Sequence, residues 1–181
     1  IFSVPGSLEV RHEIVLFKPD KALTAGTIYS VTITTDVRDL SGNSLGAAHT
    51  WSFAVSSTVK EDTSAPSVTS VNPDDNKIAV DANTAITVIF NEQMDPMTIY
   101  AHTSGSQCTD SFQVSSDNFT TCIAMQGWPA VSNEFRTFSF TPSAPLSSGK
   151  TYQIKVRVLS KDLSGNAMAS EFLTGKGFTI Q

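Results

Sequence analysis

Apolar and polar side chains alternate in short runs along this chain, and nowhere do the apolar ones recur at a sustained helical spacing. Tyr152, Ile154, Val156 and Val158 interleave with Gln153, Lys155 and Arg157. Ile86, Val88 and Phe90 do the same, as do Phe138 with Phe140, then Tyr29 with Val31 and Ile33, and Trp51 with Phe53 and Val55. A period of two sends successive side chains to opposite faces of an extended strand, so each run predicts a half-buried β-strand. Clusters of Gly, Pro, Asn, Asp and Ser separate the runs. The fold class expected is therefore all-β, with antiparallel sheets packed as a sandwich, and the parity of Trp51 with Phe53 places it on the core side.

The runs also repeat. The segment from Phe17 to Asn43 returns as Phe140 to Asn166 at one constant offset (140 − 17 = 166 − 43 = 123) with no gap between. Phe17, Pro19, Leu23, Gly26, Tyr29, Asp39, Leu40, Ser41, Gly42 and Asn43 fall on Phe140, Pro142, Leu146, Gly149, Tyr152, Asp162, Leu163, Ser164, Gly165 and Asn166. One module type is present twice. Within it, Leu23 to Tyr29 and Leu146 to Tyr152 have the makings of a tyrosine corner: Gly26 and Gly149 permit a sharp turn, and Tyr29 and Tyr152 bury a ring while the hydroxyl reaches nearby backbone. Asp39 to Asn43 and Asp162 to Asn166 read as tight loops, in which Asp39 and Asp162 accept backbone N–H bonds and Gly42 and Gly165 take a positive φ.

These motifs, in this order, resemble the bacterial Ig-like domain of the S-layer-protein (SbsA) type, which occurs in tandem copies in exported and surface proteins. A Pro-led strand, Ala65-Pro66 to Asn72-Pro73, precedes Phe90-Asn-Glu92-Gln-Met94-Asp95-Pro96. The Phe138 to Pro142 strand, the tyrosine corner, the Asp-x-x-Gly-Asn loop and a closing aromatic strand follow. The resemblance implies tandem Ig-like antiparallel β-sandwiches, seven-stranded when whole and without catalytic residues. By the offset, residues 1–60 correspond only to the C-terminal half of a module, 61–65 form a linker, and 66–181 make a complete second module. The first sandwich is thus expected to be incomplete at its N-terminus. Either the chain is part of a longer protein, which is favoured, or a partner chain supplies strands by edge addition. Phe178 stands near the place of Phe53 with a shift of about two residues, so Glu171 to Gly177 reads as a longer loop.

A polar stretch at about 101–126 is longer than the family pattern and holds both cysteines, Cys108 and Cys122. A bridge between them would close a short loop and add about 3 kcal/mol in the loop-entropy picture, and would place the protein in an oxidising compartment; two unrelated free thiols are the alternative. If bridged and ordered, this insertion is the expected place of contact with a partner. Asn118-Phe119-Thr120 fits a glycosylation acceptor pattern, which a bacterial setting discounts.

Composition narrows the function classes. The 181 residues are 40% hydrophobic and 16% charged, as in ordinary globular domains, and no run approaches the ~20 apolar residues of a membrane-spanning helix. The first residues, IFSVPGSLEV, lack the basic start and apolar core of a signal peptide, which leaves a cleaved leader or upstream region open. A net charge of −5 and no Lys/Arg cluster exclude nucleic acid as the main partner. His12, His49 and His102 sit in unrelated contexts, and no nucleophile–base–acid set or phosphate loop can be assembled, so no catalytic residue and no enzyme is expected.

Two binding chemistries stay in view. Loops of an Ig-like sandwich converge at its N-terminal pole, where Glu92, Asp95, Asp162 and Asp62 would offer hard oxygens to calcium, the one cofactor considered. Trp128 and Tyr100 are the aromatic candidates for stacking on a sugar. The function expected is a non-catalytic structural or adhesion stalk module of a bacterial exported or cell-surface protein, presenting other domains. A carbohydrate-binding or accessory module of an extracellular enzyme and a calcium-stiffened adhesin repeat are the alternatives. The expected location is extracellular or on the cell surface, with outer-membrane attachment as one option. Expected partners are neighbouring domains of the same polypeptide and a surface protein or glycan.

Overall fold

The computed structural model describes residues 3–11, 14–58 and 61–181; the backbone alone is described for Arg11, and His12 lies outside the described residues. The chain forms two compact units, Ile1–Glu61 and Asp62–Gln181, so the proposed 61–65 linker is divided between them. Among the described residues no helix is long and apolar enough to cross a membrane.

The first unit contains two antiparallel pairs. Strands β1 (Gly6–Arg11) and β2 (Ile14–Pro19) make a hairpin, with Leu8 opposite Phe17. Strands β3 (Ile28–Ile33) and β4 (His49–Ala54) pair with Tyr29 opposite Phe53 and Val31 opposite Trp51. On the polar face of this second pair, hydroxyls bond across the strands, Ser30 to Ser52 at 2.8 Å and Thr32 to Thr50 at 3.0 Å. The opposite face carries Tyr29, Val31, Ile33, Trp51 and Phe53, and no described residue of this unit is buried. Trp51, expected in a core, is 43% exposed. Its parity is that of a core residue, but among the described residues its sheet is the two-stranded β3–β4 pair alone, and the ring stays partly in solvent.

The second unit is a closed sandwich. One sheet has the order β5 (Val68–Asn72), β6 (Ile86–Phe90), β9 (Thr137–Phe140), β8 (Ala130–Ser132). In the other, β10 (Thr151–Val156) pairs with β7 (Phe112–Ser115) on one side and with β11 (Phe172–Leu173) and β12 (Phe178–Thr179) on the other. The alternating residues read from the sequence line the space between the sheets: Ile86, Val88, Phe138, Phe140, Ile154 and Val156 are fully buried. Phe112 and Phe140 stack across it, ring centroids 3.9 Å apart. Val158 departs from the expected alternation. β10 ends at Val156, Arg157 N–H donates to the Ser111 carbonyl, and a turn leaves Val158 exposed.

Residues 101–126 differ most from expectation. Their centre, β7, is a core strand, not part of a surface protrusion: Phe112 and Val114 are fully buried, and the intervening Gln113 and Ser115 are buried as well. The polar members hide the period of two, yet both are satisfied, Gln113 Nε2 donating to the Asp110 carbonyl and Ser115 Oγ bonding Asp117. Exchanging the whole stretch for a short turn would therefore delete a strand.

Both tyrosine hydroxyls accept a backbone N–H five residues upstream, Tyr29 from Thr24 and Tyr152 from Ser147, each at 3.0 Å. Gly26 (φ 72°) and Gly149 (φ 73°) hold the turn between. Tyr152 is buried and Tyr29 is not, so water can replace only the bond to Tyr29. Tyr152→Phe is expected to lower the unfolding free energy of the second unit by about 1 kcal/mol, and Tyr29→Phe to leave thermal and urea melts almost unchanged. Equal effects of the two substitutions would contradict this difference.

The longer loop before the last strand has a defined origin. Tyr152 pairs with Phe178 where Tyr29 pairs with Phe53, an offset of 125 (178 − 53), while Val156 pairs with Phe172 where Ile33 pairs with His49, an offset of 123 (172 − 49). Two extra residues are thus accommodated between β11 and β12. Asp75 secures them, its carboxylate accepting the N–H groups of Gly175, Lys176 and Gly177.

Candidate functional site

The loops that follow β6 and β10 meet at one pole of the second unit. Asp162 organises its own loop: Oδ1 accepts the Asn166 N–H and Oδ2 the Asn166 side-chain amide, both at 2.8 Å. Asp39 and Asn43 make the same two bonds at 2.9 Å in the first unit. Those bonds, foremost from Asn43, hold the Asp39 carboxyl below its ordinary value. Gly42 and Gly165 sit at φ 87° and 91°, a conformation that asks for glycine. Turn chemistry therefore accounts for both loops.

Asp162 differs in what surrounds it. It is buried, Met94 bridges to it from the loop after β6, and Asn166 also donates to the Asp62 carbonyl at 2.9 Å. Carboxylate oxygens of Asp62, Glu92 and Asp162 lie within 4.8 Å of one another. Asp95, the fourth candidate, is turned elsewhere: its Oδ1 caps a short 3-10 turn, Pro96–Thr98, by accepting the Met97 N–H at 2.9 Å. Burial, and then the negative charges of Asp62 and Asp162, push the Glu92 carboxyl above its ordinary value. Asn166 and Met94, which assemble this corner, belong to the Asp-x-x-Gly-Asn loop and to the Phe90–Pro96 motif, but neither motif announces the contact each makes here.

Tyr100 and Trp128 come together with ring centroids 6.3 Å apart and planes tilted by 54°, and Trp128 is 39% exposed. The tilt gives no flat two-ring platform. A cleft of about 100 Å³ lined by Asn83, Gln126, Thr141, Pro142, Ser143, Ala144 and Pro145 is well below the ~300 Å³ of small ligand pockets. Cys108 and Cys122 are bonded to each other, and since the chain has two cysteines no thiol is free. His102 Nδ1 lies 3.4 Å from Asp110 Oδ2 in a largely buried pair, and His49 tilts against Trp51 on β4.

A family model described as the bacterial Ig-like domain matches the chain in two stretches, residues 2–55 and 62–179. No curated protein matches it. Among solved structures, the N-terminal part of the bacterial S-layer protein SbsC is similar at 24% identity over 62% of this chain and 24% of that one, with a TM-score of 0.42. The S-layer protein rSbsC(31-844) is similar at 23% identity over 64% of this chain and 13% of that one, with a TM-score of 0.44. The chain spans a quarter or less of the length of these structures.

Proposed function

The chain belongs to the bacterial Ig-like domain family, and from that premise we propose that it is a non-catalytic structural module of an exported or cell-surface protein, a spacer that holds other domains apart and carries load. The observation that carries this is how the second unit is closed. Its chain enters beside Asp162 at one pole, while Ile180 bridges Val80 in parallel at the other. Residues 76–80 and 177–181 run side by side in the same direction, joined by four bonds: Asn76 N–H to the Gly177 carbonyl, Thr179 to Lys77, Val80 to Thr179 and Gln181 to Val80. Pulling residue 62 and residue 181 apart drives these segments past each other, so the bonds are loaded together. A unit threaded in this way suits a head-to-tail array, and it needs no ligand of its own.

Single-molecule stretching between handles at residues 62 and 181 tests the proposal. One cooperative unfolding event at high force is expected, reduced by Val80→Pro, which removes the Val80 N–H from the ladder. Smooth extension at low force would sink the load-bearing role.

Calcium binding at Asp62, Glu92 and Asp162 is the second function proposed, favoured by the convergence of three carboxylates on one corner. A carboxyl whose folded pKa is raised binds its proton more tightly in the folded state. Its contribution is therefore favourable at low pH and is lost as pH rises through the raised pKa of Glu92. At neutral pH in chelator, Glu92→Gln is expected to raise the melting temperature slightly. Calcium at about a hundred times its Kd is expected to stabilise the unaltered protein by ~2.7 kcal/mol and to do much less for Glu92→Gln. Identical melts in calcium and chelator would remove this role.

A further inference from the structure

One side chain of the second unit ties together the two segments that run in parallel at its far pole. Residues 76–80 and 177–181 are joined by four backbone bonds. Just upstream of that ladder the Asp75 carboxylate faces three consecutive N–H groups: Oδ2 accepts from Gly175 at 3.1 Å, and Oδ1 from Lys176 at 2.9 Å and Gly177 at 2.6 Å. Successive main-chain N–H groups turned to one point make a cradle for an anion. Gly177 takes φ 78° and lies so close to the Tyr152 carbonyl that a Cβ would run into it, which seats the cradle on β10. The cradle uses the extra length of the loop before β12; in the first unit β4 runs from His49 to Phe53 without interruption. Burial acts to raise the Asp75 carboxyl, but the N–H groups of Gly177, Lys176, Gly175 and Asn76 outweigh it and hold it below its ordinary value, so it is charged at neutral pH.

We propose that Asp75 is the latch of this ladder, the side chain that sets the force at which residues 76–80 and 177–181 slide past each other. On the load-bearing reading, on which the latch rests, tension applied at residue 62 reaches the ladder through residue 75, and tension applied at residue 181 reaches it from the opposite end. The three carboxylate bonds are then loaded in the same event as the four backbone bonds. Hydrogen bonds to an ionised acceptor are roughly twice as strong as neutral ones, so these three count for more than their number. A side chain that only lowered the free energy of the folded state would protect the unit against unfolding from any direction. A latch protects it along one.

The test stretches the whole 181-residue chain between two pairs of handles: residues 62 and 181, which load the ladder, and residues 104 and 164, which leave both of its segments outside the pulled span. Asp75→Asn keeps an acceptor for the N–H groups of Lys176 and Gly177 but loses the charge and the acceptor for Gly175. It is expected to lower the 62–181 unfolding force to roughly half to two-thirds of its unaltered value. The same substitution at the neighbouring carboxylate, Asp74→Asn, is expected to change nothing, and both variants to match the unaltered protein between 104 and 164. Lys176→Pro removes the middle N–H and leaves the carboxylate in place; it is expected to give a smaller fall along 62–181 alone, and it reports on the latch even where Asp75→Asn does not fold. An undiminished 62–181 force for both Asp75→Asn and Lys176→Pro, or an equal loss along both directions, would overturn the latch and leave the load-bearing role standing. Smooth extension of the unaltered protein at low force would remove that role and the latch with it.

Discussion

Replacing Phe140 by alanine is expected to lower the unfolding free energy of the second unit by about 3–5 kcal/mol, while Phe17→Ala at the matching repeat position is expected to cost roughly 0.5 kcal/mol or less. The two phenylalanines sit in the same sequence context, before a proline-bearing turn and a tyrosine corner. Only Phe140 is enclosed, stacked on Phe112 from the opposite sheet. Truncating it removes the transfer free energy of a buried ring and leaves a cavity between two sheets that are fixed by their own hydrogen bonds and cannot collapse to fill it. Phe17 has solvent on its open side, so its truncation leaves no enclosed cavity. Urea unfolding followed by a probe in each unit measures both effects. A large cost for Phe17→Ala would mean that its face is already covered.

Reduction of Cys108–Cys122, or the double substitution Cys108→Ser with Cys122→Ser, is the second large expected effect, about 3 kcal/mol and a fall in the urea midpoint of roughly 1–2 M. The bridge spans a sequence separation of 14 and encloses β7. It therefore restricts the unfolded chain at a segment whose Phe112 and Val114 belong to the core. The flanks are tied down as well, Cys122 N–H to the Ser106 carbonyl, Ile123 to Val114 and Met125 to His102. Reduction should then accelerate exchange across β7 and its neighbour β10, not merely in the exposed loop. Loss confined to residues 103–109 and 116–121 would show that β7 is held independently of the bridge.

Local chemistry made much of this architecture legible. The tyrosine corners and the Asp-x-x-Gly-Asn loops are fixed by residues within five positions of one another, and the strands Ile86–Phe90, Phe138–Phe140 and Tyr152–Val156 by their own alternation. Features that depend on distant partners were not legible. β7 is a strand because Gln153–Val156 pair with it, and its Gln and Ser members read as loop. Asp75 caps a turn 100 residues away, and Asn166 joins Asp62 to Asp162 across a similar span. Trp51 shows the opposite limit: its parity is right, yet its two-stranded pair leaves it 43% exposed. At the acidic corner, three of four carboxylates converge because the loops after β6 and β10 meet, while Asp95 follows the stronger local demand of capping the turn that begins at Pro96.

Amide hydrogen exchange at matched repeat positions in the unmodified protein tests the central claim most directly, namely that one sequence pattern is closed in the second unit and open in the first. Residues 152–156 are expected to exchange only through global unfolding of the second unit, and residues 29–33, in a two-stranded pair with no buried residue, at rates close to those of unstructured chain. Comparable protection of the two stretches would contradict the account, because it would mean that the first unit is already a complete, covered fold.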